Sequence, residues 1–213
     1  MIKSKRARMS AARVALGLAL LALTAPAVAT TLRRMDLNDL VSGADRVVHA
    51  RAVDSKVYWE GTVINTDTVF EVIDEAKGAG PVRLTVTMLG GRIDPVEMSA
   101  PGTPTFSIGD EVVLFTSPRP DGKKNLVGFT QGHMKVIETP GGDKVAVSLV
   151  AAGVTYVEAG AGGPRIVKPV SGRVPLSALI ENVRKMVDEG QPAGPTMTKR
   201  PMRLDSGKDR SQP

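Results

Sequence analysis

The sequence has no cysteine and few aromatic residues, only seven among 213 residues. A protein without cysteine has neither disulfide bonds nor thiolate metal ligands, so a buried apolar core must stabilise its fold. Histidine is also scarce, with two copies, and no motif of a zinc hydrolase, a serine hydrolase or a phosphate-binding loop occurs. These absences favour a binding module over an enzyme, and we expect no cofactor and no bound metal.

The first 29 residues have the composition of a secretory signal peptide. Five basic residues and no acidic ones precede an apolar block at Val14–Leu23, and Ala27-Val28-Ala29 forms an Ala-x-Ala cleavage site. The apolar block is shorter than the roughly 20 residues that a membrane-spanning helix needs. We therefore expect cleavage after Ala29 and export to the periplasm or outside the cell, with no transmembrane segment after signal removal.

The net charge of +6 comes from the two ends of the chain. Five of the 28 basic residues belong to the signal peptide, which leaves 23 basic against 22 acidic residues in the mature chain. Five more basic residues lie in 199–213, so the body of the protein has no excess of positive charge. A nucleic-acid-binding domain needs lysine and arginine clustered on its folded surface, so we expect no nucleic-acid partner.

The mature chain divides into one domain and a tail. Residues 30–190 are enough for a single domain with its own core. Residues 191–213 are rich in proline, glycine and charge. Such a segment buries too little apolar surface to offset its chain entropy, so we predict a disordered basic tail.

Alternating apolar and polar residues predict a mainly β domain. The expected strands are Arg46–Val53, Thr62–Ile73, Val82–Leu89, Glu111–Thr116, Leu126–Phe129, His133–Glu138, Lys144–Leu149 and Val154–Glu158. Residues 92–109 are expected to form a loop with at most a short strand near Val96–Met98. A short helix is predicted at Asp36–Gly43, and an apolar stripe predicts an amphipathic helix at Pro175–Glu189. Many short strands separated by turns indicate a β-sandwich or a β-barrel.

The order of motifs over about half of the chain resembles a known group of proteins. The motifs are "LNDLVSGAD", "RVVHARAV", "SKVYWEGTVINTDTVFEVIDEAKG", "FSIGDEVVLFT" and "LVGFTQGHMKV", between Leu37 and Val136. This pattern resembles a family of uncharacterised exported bacterial proteins, whose barrel is similar to the netrin-like, metalloproteinase-inhibitor type of OB fold. The resemblance implies a single OB-like β-barrel, closed or partly open, with a short N-terminal helix and a C-terminal amphipathic helix.

The resemblance does not carry an activity with it. The metalloproteinase inhibitors of this fold chelate the zinc of their target enzyme through an N-terminal cysteine. The mature chain here would begin at Thr30 and contains no cysteine. That mechanism therefore cannot operate in this protein.

The aromatic pair Tyr58-Trp59 is a candidate ligand-binding platform. It precedes a turn signal, Glu60-Gly61, and so is expected at a strand junction near the surface. However, an OB fold that binds strands or sugars usually presents several aromatic residues on one face. The alternative is that Trp59 covers one end of the barrel, with its N–H hydrogen-bonded to a partner.

The segment Thr130–Met134 contains two further candidate residues, Gln131 and His133. Gly132 lies between them, and a glycine in strand-like sequence often marks a bulge or a close approach of two backbones. Gln131 and His133 could then line a polar site beside Asp94. The alternative is a strand bend that the barrel needs for closure.

The two histidines, His49 and His133, support a different hypothesis. Both lie in predicted strands, and in a barrel they could approach each other. A metal site would need a third ligand such as Asp94, Glu97 or Asp110, although no ligand spacing selects one of them. The alternative is two strand histidines with no shared role.

Three functions remain open on these grounds. The first is an exported non-catalytic barrel that binds an unknown protein or glycan partner through residues such as Tyr58, Trp59, Gln131 and His133. The second is a metal-dependent hydrolase that uses His49 and His133 with nearby carboxylates. The third is a structural envelope protein whose basic tail rests on anionic surfaces.

Overall fold

The computed structural model describes residues 30–190, which form a mainly β structure with two α-helices. This confirms the prediction of a mainly β domain. The predicted signal peptide at 1–29 and the predicted disordered tail at 191–213 lie outside the described residues. Within residues 30–190, no helix has the length and apolar character that crossing a membrane requires.

The described elements have the following bounds. The strands are β1 (Thr30–Arg33), β2 (Arg46–Glu60), β3 (Val63–Lys77), β4 (Arg83–Leu89), β5 (Gly91–Ile93), β6 (Val96–Met98), β7 (Glu111–Pro118), β8 (Lys124–Leu126), β9 (His133–Glu138), β10 (Lys144–Ser148), β11 (Val154–Glu158), β12 (Arg165–Val167) and β13 (Gly172–Pro175). The helices are α1 (Leu37–Gly43), α2 (Leu176–Asp188) and a 3-10 helix (Phe129–Gly132).

The largest sheet has the strand order β13-β10-β9-β7-β2-β3-β4-β8. Strand β8 pairs in parallel with β4 and antiparallel with β7, so the pairings β7–β2–β3–β4–β8–β7 form a ring. The long hairpin β2–β3 turns at Gly61, whose φ of 61° is a conformation that glycine adopts without strain. A second sheet has the order β1-β11-β12, and β5 and β6 form a separate hairpin.

The two faces of the ring strands contribute to two different cores. On one face, apolar side chains from the five strands pack on each other, with Phe70 and Leu114 fully buried. Phe106 adds an edge-to-face contact to Phe70, with 5.1 Å between the ring centroids. Because neighbouring residues of a strand point to opposite faces, Val113 and Phe115 belong to the other face.

Both α-helices cover that second face. Asp36 caps α1, because its carboxylate accepts a hydrogen bond from the Asp39 N–H at 2.8 Å. The apolar stripe of α2 buries Leu179, Ile180 and Val183 against the sheet. Both predicted helices are confirmed, and α2 docks on the sheet as the stripe indicates.

The predicted strand Leu126–Phe129 is wrong, because only Leu126 of it belongs to a strand. The short strands β1, β5, β12 and β13 were not predicted. Leu126 ends β8, and the chain turns at Gly128 (φ 63°) and Phe129 (φ 60°) into the 3-10 helix. Gly132 allows this helix to pack closely, because a Cβ there would overlap the carbonyl oxygen of Val127. Gly132 therefore marks a close approach of two backbones, as its sequence context suggested. It does so in a helical turn and not inside a strand.

Candidate functional site

Tyr58 is part of a polar cluster that joins strands β2, β3 and β4 to the turn before β8. Its hydroxyl donates to Asp67 at 3.2 Å, and Lys123 lies 2.7 Å from the same carboxylate. Thr87 donates a further hydrogen bond to Asp67 at 2.7 Å. The hydrogen bonds of Lys123 with Asp67 and then with Tyr58 raise the pKa of Lys123, so it stays charged. Tyr58 thus has a structural role at this junction.

Trp59 is adjacent to Tyr58, but its side chain points to the opposite face of β2. It pairs with Ile64 across the hairpin, near the Gly61 turn, and is 47 % exposed. The fully buried Ile64 lies opposite it, and the exposed half of the indole is in contact with solvent. Together with Val57, Trp59 contributes exposed apolar surface at the hairpin end.

Gln131 connects the 3-10 helix to the segment between β1 and α1. Its Oε1 accepts a hydrogen bond from the Met35 N–H at 2.9 Å, and its Nε2 donates to the Arg33 carbonyl at 2.9 Å. Gln131 also lines an apolar groove beside the two α-helices. Neither Tyr58 nor Trp59 lines this groove, so the four candidate residues do not form one surface around it.

His133 is buried in the core of the ring strands. Its Nδ1 is 2.8 Å from the Thr130 carbonyl oxygen, and its ring contacts Phe106 edge to face. Burial lowers the pKa of His133, while the hydrogen bond to Thr130 partly opposes this shift. His133 is therefore a neutral core residue, and Asp94 lies elsewhere, in the turn between β5 and β6.

The two histidines point to opposite faces of the sheet. His49 is paired with Val113 of β7, whereas His133 is paired with Leu114 of the same strand. Successive residues of a strand point in opposite directions, so the two imidazoles have the sheet between them. This register corrects the expectation that the two could approach each other and share a metal ion. Among residues 30–190, no three His, Asp or Glu side chains are arranged to hold a metal.

The positions of both histidines predict a loss of stability in mild acid. Burial lowers the pKa of His49 and of His133 below the usual 6.5. The unfolded chain therefore takes up protons at a higher pH than the folded chain does. Stability should be constant above pH 7.5 and should fall as the pH drops below about 6.5.

Urea midpoints measured at pH 7.5 and pH 5.5 test this expectation. The carboxyl groups with lowered pKa, those of Asp110, Glu111 and Asp121, add a further loss only below their own usual range near pH 4, outside this interval. In a His133→Asn variant, the difference between the two urea midpoints should be smaller, because the contribution of His133 is absent. This holds even if the variant is less stable at both pH values. A midpoint that stays constant or rises on acidification would contradict the assignment of both histidines as neutral buried groups.

An apolar groove lies beside the predicted site residue Gln131. It lies between α1, α2 and the β9–β10 strands, and has a volume of about 210 Å³. We call it the α1–α2 groove. Its apolar lining includes Met35, Leu40, Met134, Leu149, Val170 and Leu179. Two methionines give such a surface an adaptable shape, because the unbranched thioether side chain can adopt several rotamers.

The outer rim of the α1–α2 groove exposes apolar surface to solvent. Leu149 is 48 % exposed and Val170 is 52 % exposed, and the neighbouring Val150 is exposed as well. Gln131 and Asn182 provide polar groups at the same site. Clustered apolar residues with a polar surround are typical of surfaces that bind another molecule.

Sequence reasoning found Gln131 but missed the apolar residues around it. The sequence feature that could have indicated these residues is the apolar pair Leu149-Val150, which follows β10 directly and lies outside the strand. Val170 comes from another loop, 20 positions later, so only the folded chain brings these residues together. A scan against protein-family models and a search among curated proteins found no match to this chain.

Proposed function

We propose that this protein is an exported, non-catalytic binding module that holds an apolar segment of a partner protein in the α1–α2 groove. The observation that carries this proposal is the exposed apolar rim of Leu149 and Val170 above an apolar floor that includes Leu40 and Met134. Removing such surface from water supplies roughly 25 cal/mol per Å² of apolar area.

The size and lining of the groove favour a protein segment as the ligand. Drug-sized ligands occupy pockets of roughly 300–1,000 Å³, whereas this groove has about 210 Å³ and suits one or two apolar anchor side chains. A glycan ligand usually stacks on exposed aromatic faces. The aromatic residue of this lining, Tyr156, is only 3 % exposed, so it offers no such face.

The proposal includes an OB-like barrel as the scaffold. The ring of pairings through β7, β2, β3, β4 and β8 supports a closed barrel, and α1 and α2 pack on its outer face. The motif resemblance to exported proteins with a netrin-like barrel supports the same assignment. The signal-peptide composition of residues 1–29 supports export as the setting in which the partner is met.

Peptide selection tests the function. Random peptides displayed on phage are selected on the mature chain, and the enriched peptides are synthesised for affinity measurements. We expect enriched peptides with closely spaced large apolar residues. Leu149→Asp and Val170→Asp should each weaken their binding by about tenfold or more, because a carboxylate in the rim must lose water when the peptide binds.

The matched control is Val82→Asp, which places the same charge at an exposed valine that does not line the groove. Its peptide affinity should equal that of the unmodified protein. Circular dichroism and urea midpoints establish that all three variants are folded. The absence of enriched apolar peptides, or equal weakening by Val82→Asp, would refute the proposed function.

A further inference from the structure

A second groove lies on the other side of α2, and the proposed function does not use it. It has a volume of about 870 Å³ and runs between α2, the β9–β10 turn and the outer face of β2 and β3. We call it the His49 groove. Its titratable lining residues are His49, Asp74, Asp143, Lys144, Glu181 and Arg184.

His49 lines this groove and has a buried hydrogen-bonding atom without a partner. Its side chain is only 6 % exposed, and its Nε2 atom is buried with no hydrogen-bond partner. The Oε2 atom of Glu111 is 3.8 Å away, beyond hydrogen-bonding distance. Native proteins leave few buried polar atoms unpaired, so an unpaired nitrogen beside a groove indicates that a bonding group can enter there.

The charges of the groove indicate which group that is. Both cationic side chains are already paired, because Lys144 contacts Glu111 at 2.8 Å and Arg184 contacts Asp74 at 2.6 Å. The lining also carries two acidic side chains, Asp143 and Glu181. Within residues 30–190 neither of them forms a salt bridge, so the uncompensated charge of the groove is negative.

We propose that the His49 groove binds a ligand that carries a primary ammonium group. With the imidazole proton on Nδ1, the His49 Nε2 lone pair accepts a hydrogen bond from the ammonium. Asp143 and Glu181 compensate the positive charge of the ligand. An anionic ligand would meet two unpaired carboxylates, and a purely apolar ligand would leave Nε2 without a partner.

The scarcity of histidine gives this proposal a direct test. The chain has two imidazoles, so long-range proton–nitrogen NMR spectra of the histidine rings contain one signal set from each. The probe is n-butylammonium chloride, titrated into the mature protein at constant ionic strength, with n-butanol and sodium butyrate as matched probes. We expect n-butylammonium to shift the His49 Nε2 resonance in a saturable way. The His133 resonances, from the opposite face of the sheet, should not move.

Two variants complete the test. Asp143→Asn combined with Glu181→Gln should weaken n-butylammonium binding by about tenfold, because two attractive charges are lost. Glu97→Gln, which removes an exposed acid from β6, should leave binding unchanged. The proposal is overturned if n-butylammonium leaves His49 unaffected, if butanol or butyrate produces the same shift, or if the double variant binds equally well. None of these results depends on peptide binding in the α1–α2 groove.

Discussion

Phe70→Ala should lower the free energy of unfolding by about 3–5 kcal/mol. Phe70 is fully buried among side chains of the ring strands, where it packs with Leu84, Val86 and Leu114 and meets the edge of Phe106. Alanine would remove the apolar contacts of the phenyl group and would leave a cavity that the surrounding packed side chains cannot fill completely. Urea unfolding of the protein measures this loss.

Trp59→Ala is the matched control for this prediction. Trp59 is a larger aromatic residue only 11 positions away, in the strand paired with that of Phe70. Because its side chain is half exposed, its replacement should cost only about 1–2 kcal/mol. Equal losses for the two variants would contradict the placement of the core, and would favour the interpretation in which Trp59 covers one end of it.

Val183→Asp should destabilise the protein by about 3–5 kcal/mol, because it buries a charge that has no partner. Val183 is fully buried where α2 packs on the sheet, among Val47, Phe115 and Leu179. The carboxylate must stay unpaired or α2 must leave the sheet, and α2 forms a wall of both grooves. The variant should therefore also abolish the binding of selected peptides and of n-butylammonium.

Lys185→Asp is the control on the same helix. Its side chain is 71 % exposed, so the introduced charge stays in water. We expect a change of unfolding free energy within about 0.5 kcal/mol and unchanged peptide affinity. If Val183→Asp unfolds at the same urea concentration as Lys185→Asp, the docking of α2 is not as described.

The local patterns of the sequence predicted the elements whose structure depends on near neighbours. The cap at Asp36 and the apolar stripe from Leu176 to Val187 each belong to a single helix, so the local sequence was enough to predict both helices. The alternation in β3 and the turn at Gly61 are likewise local. These features predicted a mainly β domain with one short and one amphipathic helix.

The remaining features depend on contacts between distant segments. Strand β1 is short and forms through parallel pairing with β11, more than 100 positions away, and no local pattern indicates that pairing. The faces on which His49 and His133 lie depend on their register against β7. A single-residue shift would reverse either one, so spacing alone could not exclude a shared metal site.

The candidate site was predicted only in part for the same reason. Gln131 was predicted as a site residue because it precedes Gly132, and it lines the α1–α2 groove. Leu149 and Val170 have no distinguishing local pattern, and Met35 comes from the far end of the domain. Their significance follows from α2, which brings three chain segments to one surface.

The most direct test of the central claim is to map the binding of a selected apolar peptide onto the protein by NMR chemical-shift changes. We expect the largest changes at Met35, Gln131, Met134 and Leu149, around the α1–α2 groove. Changes centred on Tyr58 and Trp59 at the end of the β2–β3 hairpin would contradict the account, and so would changes spread evenly over the surface.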